Sequence, residues 1–127
     1  MTSSNETAAD VRRTLERLSD DCDPVAELEE RRPADETVAT QETVFGALAN
    51  DHRIRALEAL RDGELCACEL QVVLDAPQST VATHLRTLRE AGLVKTRKKG
   101  KWTYYRIADT AVFELLDVAA AVETPTE

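Results

Sequence analysis

The chain has 127 residues, of which 43% are hydrophobic and 31% charged, and its formal net charge is −8. That is about one domain's worth of chain. No stretch approaches the roughly 18 apolar residues of a membrane span, which excludes an integral membrane protein. The N-terminus lacks the basic and apolar blocks of a signal peptide, so a cytoplasmic protein is expected. Taken alone, −8 also argues against a nucleic-acid partner.

The charge is not spread evenly. Residues 1–40 carry five basic and eleven acidic side chains, and residues 41–75 carry three and seven. Residues 76–107 carry eight basic side chains and a single acid, Glu90. Residues 108–127 carry five acids and no base. One basic block is thus set in an acidic chain, the asymmetry of a local polyanion-binding surface or, alternatively, of a solvated charged face. Arginine outnumbers lysine by 12 to 4. With the abundant acids, this composition resembles that of proteins from salt-loving organisms.

In chain order, residues 1–39 read as an acidic extension, partly helical or flexible. Val11, Leu15 and Leu18 have helical spacing over 7–19. Asp20, Asp21, Cys22, Asp23 and Pro24 break that helix, and 25–31 forms a second short piece that ends before Pro33. The compact domain is expected over 40–122, with 123–127 as a tail. Val44, Phe45, Leu48 and Ala49 have helical spacing. Asn50 or Asp51 caps the next helix, with Ile54, Leu57 and Leu60 facing inward. Asp62-Gly63 stops it. A third helix is predicted over 64–74, with Leu65, Val72, Val73 and Leu74 partly apolar. Asp75, Ala76 and Pro77 form a tight break.

A fourth helix is predicted over 78–91, with Val81, Leu85 and Leu88 toward the core and a polar opposite face of Gln78, Ser79, Thr80, Thr83, His84, Arg86 and Thr87. Gly92 ends it. The period then becomes alternating. Val94 and Thr96, then Trp102, Tyr104 or Tyr105, and Ile107 read as two strands, joined by a basic turn of Arg97, Lys98, Lys99, Gly100 and Lys101. A last helix over 109–122 places Val112, Leu115, Leu116 and Ala119 on one face.

A tight helix pair with a polar second helix, followed by a basic hairpin, makes a winged helix-turn-helix, mainly α with a small β-hairpin wing. Small side chains (Ser79, Thr80, Thr83) let a helix approach a major-groove floor, while Gln78, His84 and Arg86 reach base edges or phosphates. Arg97, Lys98, Lys99 and Lys101 at the hairpin can track a phosphate backbone. Double-stranded DNA is the expected partner. No nucleophile elbow, phosphate loop or H-E-x-x-H motif suggests an enzyme.

The run Glu64-Leu65-Cys66-Ala67-Cys68-Glu69-Leu70 resembles the ELCVCDL box of the ArsR/SmtB family of metal-sensing repressors. The likeness continues through Ser79-Thr80-Val81-Ala82-Thr83-His84-Leu85-Arg86-Thr87-Leu88-Arg89-Glu90-Ala91-Gly92-Leu93-Val94. It ends with Arg97-Lys98-Lys99-Gly100-Lys101-Trp102-Thr103-Tyr104-Tyr105-Arg106-Ile107, the family's wing. Upstream, Phe45-Gly46-Ala47-Leu48-Ala49-Asn50-Asp51-His52-Arg53 is similar to its lead-in helix and turn. The resemblance implies a homodimer held by the first and last helices of the core. It also implies that the dimer binds a palindromic operator, with Thr87 and Tyr105 among the DNA-facing residues, and leaves it when a metal or metalloid binds.

There are three cysteines, Cys22, Cys66 and Cys68. An odd number in a cytoplasmic chain does not suggest a disulfide framework. On an ideal helix, residues i and i+2 lie about 200° apart, so chelation by Cys66 and Cys68 would require the helix's first turn to distort. A helix N-terminus favours thiolates, and thiolates without histidine select thiophilic ions. The family's arsenic branch often has a third thiol where this chain has Gln71. Its cadmium branch brings arm cysteines to the box, the role that Cys22 would take. Three sulfurs suit As(III) or Sb(III), with Cd(II), Pb(II) or Zn(II) as the alternative inducers; no cofactor is required. Three further alternatives stand. Cys66 and Cys68 are redox-active or merely small buried residues, Cys22 is an idle thiol, or the winged helix binds protein and not DNA.

Overall fold

The computed structural model describes residues 7–18 and 24–125. The chain divides into two compact units, Met1–Val38 and Ala39–Glu127.

In the first unit, α1 (Ala8–Leu18) opens on a reciprocal cap: the Asp10 N–H donates to Thr7 Oγ1 and the Thr7 N–H to Asp10 Oδ2, each at 3.2 Å. The Thr7 hydroxyl, which donates to Asp10 Oδ2 at 2.9 Å, then the Thr7 N–H and Arg13 hold the Asp10 carboxyl below its usual range. α2 (Pro24–Glu30) buries Val25, and Arg12 of α1 pairs with Glu29 of α2. α3 (Asp35–Leu48) carries the chain across the division.

The second unit builds around one cluster of aliphatic side chains. α4 (Asp51–Ala59) is capped by Asn50, whose side chain accepts the Arg53 N–H at 3.2 Å. A 3₁₀ turn over Leu60–Asp62 ends at Gly63, whose φ of 131° suits glycine. Then follow β1 (Leu65–Cys66), α5 (Ala67–Leu74) and α6 (Gln78–Glu90). β2 (Val94–Lys99), β3 (Trp102–Ile107) and α7 (Ala111–Ala121) complete the unit. Leu57, Leu70, Leu85, Leu88 and Val81 are fully buried, and Val112 and Leu116 bring α7 onto the same core. Each such side chain contributes about 1.5–3 kcal/mol through loss of apolar surface to water. Arg61 pins α7 to the 3₁₀ turn: it binds Asp117 at 2.7 Å and lies 5.1 Å over the Phe113 ring. No helix among the described residues is long and apolar enough to cross a membrane.

The sheet is antiparallel in the order β1-β3-β2. Its first strand corrects the helix expected over 64–74, which starts only at Ala67. Leu65 and Cys66 find backbone partners on Tyr105 and Tyr104, and that long-range pairing overrides the local helical pattern. The basic turn is also shorter than expected. Arg97, Lys98 and Lys99 are strand residues, and only Gly100 and Lys101 turn. Gly100 at φ 63° occupies the first position of a two-residue hairpin turn, where a left-handed residue matches the twist of the strands. Leu57 and Leu60 are buried as expected, whereas Ile54 is 40% exposed; on α5 the buried positions are Leu70 and Leu74, and Val72 is 82% exposed.

Candidate nucleic-acid interface and cysteine pair

α6 separates core from surface along its length. Val81, Leu85 and Leu88 are buried on one side, while Gln78, Ser79, Thr83 and Arg86 are exposed on the other. Thr80, His84 and Thr87 lie half-buried at the margins. The helix starts cleanly because Asp75 adopts a left-handed φ of 48° and Pro77 is extended at the N-cap. It ends in a Schellman motif: the Leu93 N–H donates to the Leu88 carbonyl and the Gly92 N–H to the Arg89 carbonyl, both at 3.0 Å. Thr83 Oγ1 bonds to the Ser79 carbonyl at 2.9 Å and Thr87 Oγ1 to the Thr83 carbonyl at 3.2 Å, which fixes their rotamers on the helix itself.

His84 is held from the core side. Its ring lies 5.2 Å from that of His52, and Arg53 Nη1 is 3.2 Å from its Nδ1. A guanidinium only donates, so Nδ1 accepts and the ring proton sits on Nε2. Burial first, then the charges of Arg53 and His52, hold the His84 imidazole below its ordinary value. Arg53 also donates to the carbonyls of Ala47 at 2.6 Å and Gly46 at 3.2 Å. One side chain therefore ties the end of α3 to α6. Nothing in the spacing of the sequence singles out Arg53; only the fold brings positions 47, 53 and 84 together.

The wing presents its cations unequally. Lys98, Lys99 and Lys101 are exposed, with the Lys101 ammonium 5.6 Å from the centre of the Trp102 ring. Arg97 is engaged: its Nε lies 3.2 Å from Glu64 Oε2, its Nη2 binds Glu64 Oε1, and its guanidinium sits 5.2 Å over Tyr104. Arg97 therefore holds the Glu64 carboxyl below its ordinary value. Tyr105, one of the expected DNA-facing residues, is half-buried and packs against the buried cluster. Alternation along β3 puts neighbouring Tyr104 and Tyr105 on opposite faces, a distinction the sequence leaves open.

Cys66 is buried and Cys68 exposed. Cys66 is the extended N-cap of α5, at φ −83° and ψ 168°, and its N–H donates to Glu69 Oε1 at 2.9 Å. The backbone N–H and then the thiol of Cys66 hold the Glu69 carboxyl below its usual range. This geometry corrects the expectation that the two cysteines occupy opposite faces of one helix. Because Cys66 precedes the helix as its extended N-cap, the 200° separation of two helical residues does not apply to this pair, of which one thiol is buried and the other exposed. Two soft donors there fit a thiophilic ion. Among the described residues no group of three or more metal-ligating side chains forms. Cys22 lies outside the described residues.

Residues 50–96 match the family described as bacterial regulatory protein, arsR family. An arsenic resistance transcriptional regulator of Pseudomonas putida is 46% identical over 71 residues, 55% of this chain and 56% of that protein. An uncharacterised helix-turn-helix transcriptional regulator of Methanocaldococcus jannaschii is 38% identical over 74 residues, 58% of this chain and 83% of that protein. A solution structure of a homodimeric winged helix-turn-helix DNA-binding domain from Mycobacterium bovis superposes with a TM-score of 0.64 at 28% identity. It covers 71% of this chain and 86% of that one. The match extends over only about half of the Pseudomonas regulator but most of the Methanocaldococcus one, and the family's range of 50–96 takes in α4, α5, α6 and the start of β2. With its fold and these relatives, the chain belongs to the arsR family of bacterial regulatory proteins.

Proposed function

We propose that this chain is a transcriptional repressor that binds a palindromic operator as a homodimer and leaves it when trivalent arsenic or antimony binds Cys66 and Cys68, with Cys22 as a third thiol. The observation that carries the reading is α6, polar and exposed on one face, beside a cationic hairpin in an otherwise acidic chain. Gln78, Ser79, Thr83 and Arg86 read base edges; Lys98, Lys99 and Lys101 hold phosphates. Pairing into a dimer is supported by the apolar side chains that α3 and α7 leave at the surface, Phe45 at 57% and Val118 at 65% exposure.

The position of Cys66 supplies a route to release. It caps α5, the first helix of the pair, and its backbone pairs with Tyr104 of the wing. An ion drawing Cys66 and Cys68 together acts on both DNA-reading elements. When the ion binds, the thiol protons leave to water, so release is expected to depend on pH.

The test is fluorescence anisotropy of the full chain on a duplex from its own upstream DNA, titrated with arsenite. Release by arsenite that disappears in Cys66→Ser and Cys68→Ser is expected. Release by cadmium alone, or by an oxidant alone, would replace the inducer assigned here. Binding that ignores all three would remove sensing altogether. Sulfur coordination number from X-ray absorption of wild type against Cys22→Ser settles the third ligand.

A further inference from the structure

We infer that Glu64 is an internal competitor for the operator phosphate at Arg97, so that DNA binding through the wing requires a phosphate to displace a carboxylate of the protein itself. The inference rests on the DNA-binding reading above and adds a residue that neither charge pattern nor helix face identifies.

Three observations carry it. The first is geometric. Arg97 meets Glu64 through Nε and Nη2, one nitrogen to each carboxylate oxygen. That two-pronged arrangement is the one a guanidinium uses on a phosphate, so the two acceptors want the same donor face and cannot share it. Tyr104 beneath the guanidinium fixes its plane, which keeps the fork oriented whichever anion occupies it. The second is exposure. The side chains of Arg97 and Glu64 keep 45% and 32% of their surface in solvent, so the pair is weak and open to exchange.

The third is placement. The basic segment 76–107 contains one acid of its own, Glu90. Glu64 is supplied from 33 residues upstream and sits in the field of Arg97, Arg106 and Lys99. It also lies two positions before Cys66. Cys66, Tyr104 and Arg97 are direct neighbours across β1, β3 and β2, and therefore share one face of the sheet. A shift of β1 caused by an ion at Cys66 reaches Glu64 through the chain and Arg97 through Tyr104. The competitor is attached to the sensing site.

The experiment compares Glu64→Gln with wild type on the chain's own upstream duplex, across a salt series beginning at low ionic strength. Glu64→Gln keeps the size and removes the charge. It is expected to bind about fivefold more tightly, with the salt slope steeper by about one, as one more cation reaches the DNA. On an Arg97→Ala background the same substitution is expected to have no effect. Glu64→Asp, too short to keep the fork, is expected to tighten binding in part. Asp62→Asn, nearby but outside the pair, measures what loss of any negative charge does. Unaltered or weaker binding by a folded Glu64→Gln, or equal tightening by Asp62→Asn, overturns the inference while leaving the DNA-binding reading intact. A wild-type chain that binds no duplex overturns both.

Discussion

α6 and the wing carry the same kind of side chain in different states. On α6 the outward polar groups are bonded to their own helix or to nothing among the described residues. Their positions are set by the buried stripe of Val81, Leu85 and Leu88 behind them. On the wing, Arg97 is already engaged by Glu64 and Tyr104, and Lys101 lies against Trp102. The helix is a surface prepared in advance, so DNA contact there costs little rearrangement. The wing's arginine must exchange partners. Seating governs the first region, and competition governs the second.

The strongest way to break this contrast is to unseat α6 while leaving its outward face intact. Leu88 is fully buried among Leu57, Leu70 and Leu85. Leu88→Ala leaves a cavity and is expected to cost about 2–5 kcal/mol of stability in urea unfolding. Operator binding should fall with it although no outward residue has changed. Retained affinity at full stability loss would mean that α6 does not depend on its core for its reading geometry.

A smaller effect separates base reading from phosphate holding. Arg86→Ala on α6 is expected to lose about 1–3 kcal/mol of preference for the operator over a scrambled duplex. Lys98→Ala on the wing should weaken both duplexes alike and lower the salt slope by about one. If the cell is salty, the wing's share shrinks and that of α6 remains. A flattened sequence preference from Lys98→Ala, or none lost from Arg86→Ala, would reverse the assignment of roles.

The two regions also differ in how much the sequence reveals. α6 is legible because its buried and polar positions repeat with the helix period and its ends carry Pro77 and Gly92. The hairpin is legible from its alternation and Gly100. What stays hidden is set by contacts between distant positions. β1 is two residues long and exists through its pairing with β3, so 64–66 reads as the start of a helix. Arg97 reads as a DNA contact because Glu64, its partner, lies 33 residues away. The clasp of Arg53 on His84 spans 31 residues and has no periodic signature.

The hairpin turn gives a gentler test of the wing. Gly100 has φ 63°, and a Cβ there would meet nothing within 4 Å. The cost of Gly100→Ala is therefore backbone strain alone, about 1 kcal/mol. Thermal unfolding should show it as a small loss. Phosphate contacts at the tip should weaken while the operator's preference over other sequences, carried by α6, is kept. A change in that preference would couple the two regions more tightly than their contacts suggest.

The smallest effect concerns His84, where α6 touches the network behind it. Its imidazole is held below the ordinary value by burial and by the charges of Arg53 and His52. The bond from Arg53 requires an unprotonated Nδ1. Below the ordinary histidine value the unfolded chain takes up a proton that the folded chain still resists. The unfolded state then holds more protons, so stability falls as pH drops through the window between the two values. Above that window the contribution of His84 is fully present. Melting of wild type and His84→Gln between pH 7.5 and 5 is expected to show a steeper acid loss in wild type, because glutamine cannot titrate. Parallel curves would mean that Arg53 grips His84 too weakly to bias its proton. A shallower wild-type curve would mean that His84 gains a stabilising partner when charged, and would move it from the seating of α6 to the surface that meets phosphate.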